Sequence, residues 1–159
     1  VGSVVFVAMA GTFQPVDYLL FVGMTILLGI TFVSIAVGLS ASSGSSGLVL
    51  TVAVGLTVLF TLLWETLSTL LLPYVLGDAV LGLGASTVET ISSFVLMLSP
   101  RIAFLQGVSF LLSIGGAGTA MGVDSSKIWL NDWWGFVVLG FWIVVPTVIG
   151  YWRFKNADL

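Results

Sequence analysis

YLLFVGMTILLGITFVSIAVGLSASSGSSGLVLTVAVGLTVLFTLLW, residues 18–64, runs from Asp17 to Glu65 without one charged side chain. A helix needs about 20 consecutive apolar residues to cross the hydrocarbon core of a bilayer, so these 47 residues hold two crossings. Tyr18 to Leu39 is the first complete span, and Leu48 to Leu72 is the second, closed by Pro73. Between them Ser40 to Gly47 reads SASSGSSG, a loop of small polar residues. It is short enough to send the second helix back antiparallel to the first. A further 20 uncharged residues separate Asp132 from Arg153, and Trp134 to Trp152 is the third complete span.

The rest of the composition agrees. Of 159 residues 58% are hydrophobic, the mean hydropathy is +1.22, and charged residues make up 7%. Soluble domains carry about 25% charged residues, so a soluble fold is excluded, and disorder is excluded by the abundance of apolar side chains. The chain has no cysteine and no histidine. A disulfide framework, a thiolate zinc site, haem ligation by histidine and Ser-His or Cys-His catalysis all fall away. Four scattered basic residues make no nucleic-acid footprint. No glycine run is followed by the Lys-Ser/Thr pair of a phosphate loop, so the chain has no such route to ATP. No cofactor is implied. An all-α integral membrane protein remains.

The flanks are less regular. Val1 to Phe13 is apolar, but at about 1.5 Å per residue it falls short of 20 Å and cannot cross alone. It lacks the basic start and cleavage site of a signal peptide. It reads as the end of a truncated helix, and the chain as a fragment. Pro15, in the polar break between Phe13 and Asp17, marks a helix start.

Residues 73–133 form an external region with short interfacial or re-entrant helices. A glycine-rich linker (Gly77, Gly82, Gly84) precedes Ser86-Thr87-Val88-Glu89, a capping-box pattern that opens the apolar run Thr90 to Leu98. Ser99-Pro100-Arg101 interrupts, and Ile102 to Ile114 follows before Gly115-Gly116-Ala117-Gly118. Neither run reaches the roughly 17 residues a span requires. Joined into one kinked span they would put Pro100 and Arg101 at mid-membrane, at a cost of about 2.5–3.5 kcal/mol for the arginine. Two short helices at or dipping into the interface are cheaper.

Orientation follows from Arg153 and Lys155, which end the third span and predict a cytoplasmic C-terminus. The SASSGSSG loop is then inside. Tyr18, Trp64, Tyr74, Trp133 and Trp134 mark the outer interface, and Tyr151 and Trp152 the inner. Arg101 and Lys127 fall outside, against the rule, among Asp78, Glu89, Asp124 and Asp132.

Three residues stand out as candidate functional or structural positions: Glu65, Pro100 and Arg101. Glu65 is the one ionisable residue inside a predicted span. An intramembrane carboxylate can be a proton or cation site. Beside Trp64, near the outer interface, it can equally reach water or cap a neighbouring helix, and that reading is preferred. No second carboxylate lies one turn away, so neither an acid–base pair nor a metal site is supported. Ser99-Pro100-Arg101 is a hinge or, preferably, a turn. Gly47, Thr51 and Gly55 recur every four residues, a spacing that lets helices approach closely in lipid.

Four stretches carry a family resemblance: LLFVGMTILLGITFVSIAVGLSA (Leu19 to Ala41), LTVLFTLLWETL (Leu56 to Leu67), LSPRIAF (Leu98 to Phe104) and VVPTVIGYWRFKNADL (Val144 to Leu159). The sequence resembles the C-terminal half of ABC-2 type permeases, especially the archaeal branch related to copper-enzyme maturation permeases. The most specific elements are Pro146, Gly150, Tyr151, Arg153 and Phe154 with the Asp158-Leu159 ending. Leu63-Trp64-Glu65 and Ser99-Pro100 ahead of Phe104 come next. The resemblance implies a six-helix permease half with both termini cytoplasmic, of which this chain would supply part of the third helix through the sixth. It implies short re-entrant or interfacial helices outside, between the fifth helix and the sixth. It also implies a lipid bilayer, a separate ABC ATPase subunit and a second permease half as partners, in a multi-pass protein of the cell membrane. Ser40 to Gly47 lacks the basic residues the family often carries in that loop. The expected function is the pathway-forming permease of an ATP-driven transporter, not itself an enzyme. The alternatives are a non-transporting membrane anchor or assembly subunit and a proton-coupled carrier using Glu65.

Overall fold

The computed structural model describes residues 15–42, 46–77, 80–112 and 127–156. The segment Val1 to Phe13, read above as a truncated helix, lies outside them, as does the glycine run after Ile114. Pro15 opens α1, Pro15–Ser42, where its fixed φ and missing N–H suit a first helical turn. The helix continues through Ser40 and Ala41, because a helix satisfies its own backbone where lipid offers no partner. The predicted serine-rich loop shrinks accordingly, since the next helix already begins at Ser46.

That second rod, α2, covers residues 46–76 without a break. It is α-helical over Ser46–Val58, Trp64–Thr66 and Leu72–Leu76, and π-helical over Leu59–Leu63 and Leu67–Leu71. Pro73 therefore does not close it, contrary to expectation. The second π-turn ends with the Leu72 N–H bonded to the Leu67 carbonyl. Pro73 then falls in the first turn of a new α segment, where a proline owes no hydrogen bond. The rod stops at Gly77, whose N–H donates to the Pro73 carbonyl at 2.9 Å. In the connection onward Gly82 takes a left-handed φ of 65°, open only to glycine at low cost.

Helices α3, Ala85–Met97, and α4, Pro100–Leu112, meet at an elbow bent by 82°. Pro100 causes the break: it disfavours helical geometry at Ser99 and has no N–H to continue the ladder. The capping box at Ser86 is not formed. The helix starts two residues earlier, with Gly84 in extended geometry as its N-cap, and the Gly84 carbonyl accepts from the Thr87 and Val88 N–H groups. Glu89 turns instead toward Lys127, with 3.7 Å between them. After a 3-10 turn at Ile128–Leu130, α5 runs over Trp134–Asn156 with Pro146 inside it. No strand occurs among the described residues.

Pro15–Ala41, Leu50–Leu76 and Trp134–Arg153 are each long and apolar enough to cross a membrane. Much of their outer surface is apolar: Leu19, Leu62, Leu70 and Val144 are all more than half exposed. Such surface belongs against lipid tails.

Helices in lipid gain no hydrophobic force from each other, so close packing has to hold them. It does so through glycine, but not at the stripe that spacing suggests. Gly47, Thr51 and Gly55 are exposed, and a methyl group added at either glycine would touch nothing within 4 Å. The close approaches lie elsewhere. A methyl group on Gly38 of α1 would overlap the backbone of Pro146 in α5. One on Gly150 would sit 2.9 Å from the Gly38 Cα. Gly135 of α5 is pressed against the Ala103 carbonyl of α4, and Gly107 of α4 against the Met24 side chain of α1. Met24, Ala103, Val138 and Leu139 form the buried core of this trio. Phe21 and Phe104 meet edge to face across it at 6.0 Å.

G38A should therefore destabilise the fold by about 1–3 kcal/mol, the usual cost of overpacking. G55A, in open space, should stay within about 0.5 kcal/mol of the parent. Equilibrium unfolding of the two variants in mixed micelles measures both.

Candidate functional site

A broken helix leaves carbonyls without N–H partners, and lipid supplies no donor. At the α3–α4 elbow, side chains from both neighbouring rods supply them. The Trp142 indole of α5 donates to the Leu98 carbonyl at 2.8 Å. The Trp64 indole of α2 donates to the Val95 and Leu96 carbonyls at 3.0 and 3.2 Å. Phe60, 4% exposed, lies between the two indoles, 5.0 Å from each ring centre. The elbow itself is buried: Met97, Ser99, Ile102 and Ala103 are at most 1% exposed.

Next to Trp64, the Glu65 carboxylate accepts a hydrogen bond from the Arg101 guanidinium, forming an ion pair between residues 36 apart in sequence. The three candidate residues thus come to one place. Pro100 makes the break, Arg101 follows it, and Glu65 reaches it from α2. Both charged side chains are about half exposed, 43% for Arg101 and 52% for Glu65. Because α2 continues past Pro73, Glu65 lies eleven residues before its end at Leu76, about 16 Å along the rod. Charged groups within membrane-spanning segments face a bundle interior or a wet cavity, not lipid.

The surrounding face of α2 is its polar one. Thr57, Thr61, Glu65 and Thr69 are exposed at four-residue spacing. In a plain α-helix that spacing drifts forward by about 40° per step. The π-turns hold more residues per turn and wind the drift back, keeping the four in line. Thr57 and Thr69 hydroxyls donate to the Ala53 and Glu65 carbonyls, so their donors are satisfied within the helix.

The bent pair is also tied to the segment before α5. Lys127 donates to the Thr90 hydroxyl at 3.0 Å, and the Trp129 indole to the Ser93 hydroxyl at 3.2 Å. Gln106, fully buried in α4, donates to the Trp129 carbonyl at 3.1 Å and to the Met97 sulfur at 3.2 Å. Among the described residues, no group of three or more acidic side chains could hold a metal ion.

Sequence reasoning singled out Glu65, Pro100 and Arg101 but not their meeting, nor the two indoles. Trp64 was assigned to the membrane interface, and Trp142 was one apolar residue among many. A π-turn has no sequence signature that would have aimed Trp64 at the elbow.

The family model of ABC-2 family transporter proteins matches residues 1–159. The chain belongs to that family. The resemblance read from Leu63-Trp64-Glu65, Ser99-Pro100 and the Pro146 to Arg153 segment is thereby confirmed at family level. No curated protein and no solved structure matches the chain. This ABC-2 protein is then an all-α multi-pass membrane protein and a permease component of an ABC transporter.

In this ABC-2 chain the two indoles are not equivalent. The Val95 and Leu96 carbonyls also accept from the Leu98 and Ser99 N–H groups at 3.1 and 3.3 Å, whereas the Leu98 carbonyl takes its bond from Trp142. W142F should cost about 1–3 kcal/mol, the penalty for stranding a buried acceptor. W64F should cost less than about 1 kcal/mol beyond the lost ring area. Side-by-side unfolding curves of the two phenylalanine variants test the asymmetry.

Proposed function

We propose that the chain forms part of the translocation pathway of an ABC transporter driven by a separate ATPase subunit, and that the pathway runs along the polar face of α2. The observation that carries this is the half-exposed Glu65–Arg101 pair in line with Thr57, Thr61 and Thr69, on a rod whose other side is made of leucine and valine. Lipid would be a costly neighbour for that pair; a hydrated path or a second permease half would not. In this reading α3 and α4 form a re-entrant hairpin entering from outside, and Arg153 and Lys155 hold the end of α5 in the cytoplasm. A second permease half completes the pathway, and ATP-driven closure of the ATPase switches its access.

The Glu65–Arg101 pair weighs against the proton-carrier reading, because the carboxylate is already occupied by a guanidinium. The anchor reading leaves a polar, half-exposed charged face on a spanning helix without a use.

The test is purification of the tagged complete permease from its own membranes. It should bring down a subunit whose ATP hydrolysis stops with vanadate. Absence of any ATPase, together with loss of proton-driven uptake in E65Q, would put the carrier first. For orientation, single cysteines at Ile128 and Asn156 should react with an impermeant thiol reagent from opposite sides of the membrane. Reaction from one side would refute the cytoplasmic C-terminus.

A further inference from the structure

The elbow is tied to two rods in different ways. On the α5 side the ties are a hydrogen bond whose loss strands a carbonyl and a close backbone contact. Trp142 supplies the Leu98 carbonyl, and Gly135 is packed on the Ala103 carbonyl with no room for a methyl group. On the α2 side every tie can open without that penalty. The Val95 and Leu96 carbonyls keep their backbone partners when the Trp64 indole leaves. The Glu65–Arg101 pair is half exposed, so water can take over both charges.

Three further features lie along the α2–α3 contact. An apolar groove of about 300 Å³ lies between them, lined by Trp64, Leu67, Ser68, Leu71, Leu72, Val75 and Val95. Ser68, 1% exposed, holds a hydroxyl that finds no hydrogen-bond partner. The residues that reach the elbow sit on a single α-turn between two π-turns, a geometry found where helices change register and at functional sites. A gap, an orphaned hydroxyl and two costly turns coincide at this interface, whereas α1, α4 and α5 meet through close glycine contacts.

We propose that α2 is a moving element and the elbow a fixed one, with Trp64 and Glu65 acting as a latch that α2 closes on Leu96 and Arg101 and releases during the transport cycle. Glu65 is a positioning residue in this scheme. It acts on the pathway through Arg101 and the register of α2, not by touching cargo. The proposal builds on the ATP-driven reading, but its structural half can be tested without the ATPase.

The experiment uses the complete permease in lipid nanodiscs, with spin labels on two pairs of exposed sites. Leu70 with Leu105 reports α2 against the elbow, and Leu105 with Val148 reports the elbow against α5. In the permease without ATPase, E65Q should broaden the Leu70–Leu105 distribution and shift its mean by several ångströms, on the order of one helical pitch or less. Leu105–Val148 should keep its parent distance. The charge swap E65R/R101E should return the first pair to its parent distribution, which a role in packing alone would not do. With the ATPase bound, vanadate trapping should produce the same shift as E65Q. An unmoved Leu70–Leu105 pair in E65Q overturns the latch, and so does movement of Leu105–Val148 instead. A bound, hydrolysing ATPase whose trapping leaves Leu70–Leu105 in place overturns the latch while sparing the proposed function. Absence of any ATPase with an intact E65Q shift does the reverse.

Discussion

A carbonyl oxygen inside a membrane protein has to find its donor within the protein, and the rest of this structure is arranged around one that a broken helix leaves over. Pro100 breaks the run between α3 and α4 and strips the Leu98 carbonyl of its helical partner. Trp142 restores it, but only because α5 stands close enough for an indole to reach. That closeness rests on glycine. Gly135 lets α5 lie on the α4 backbone, and Gly38 and Gly150 let α1 and α5 touch. The hydrogen bond at the elbow and the glycine contacts some distance away are therefore one constraint met at two levels, backbone satisfaction and backbone approach.

Beside this glycine-packed half, α2 is built differently. Its two π-turns line up Thr57, Thr61, Glu65 and Thr69 and bring Trp64 and Glu65 to the elbow side by side. Its packing against α3 leaves a groove and an unbonded serine hydroxyl. A transporter has to keep one part in place while another part moves past it. The proposed division, with a half-exposed ion pair and shared carbonyls on one side of the elbow and an unshared carbonyl bond and close glycine contacts on the other, is a physical basis for such a division of labour.

Much of the fold was legible because spanning the membrane is written in composition and length. The uncharged runs from Tyr18 and from Trp133 marked α1, α2 and α5, Pro15 marked a helix start, and Ser99-Pro100-Arg101 marked the interruption between α3 and α4. The family could be read from short motifs such as Leu63-Trp64-Glu65. What failed depended on geometry that a sequence does not carry. Pro73 looked like a stop because a π-turn that renders it harmless leaves no trace in residue order. Gly47 and Gly55 had the spacing of a packing stripe, but Gly38, Gly135 and Gly150, on different helices, do the packing. Ser86 to Glu89 had the letters of a capping box, yet Lys127 gave Glu89 a different partner. Glu65 and Arg101 were each noticed alone. Their meeting joins positions 36 residues apart, and no local pattern announces it.

The account depends most on α3 and α4 forming a re-entrant hairpin held at its elbow, not one bent crossing. Single cysteines at Ser86, near the start of α3, and at Leu112, the end of α4, decide between the two in the complete permease. The account predicts that an impermeant thiol reagent labels both from the same, outer side of the membrane. Labelling from opposite sides would make the pair a fourth span, reverse the side on which α1 begins, and contradict the hairpin on which the latch and the pathway rest.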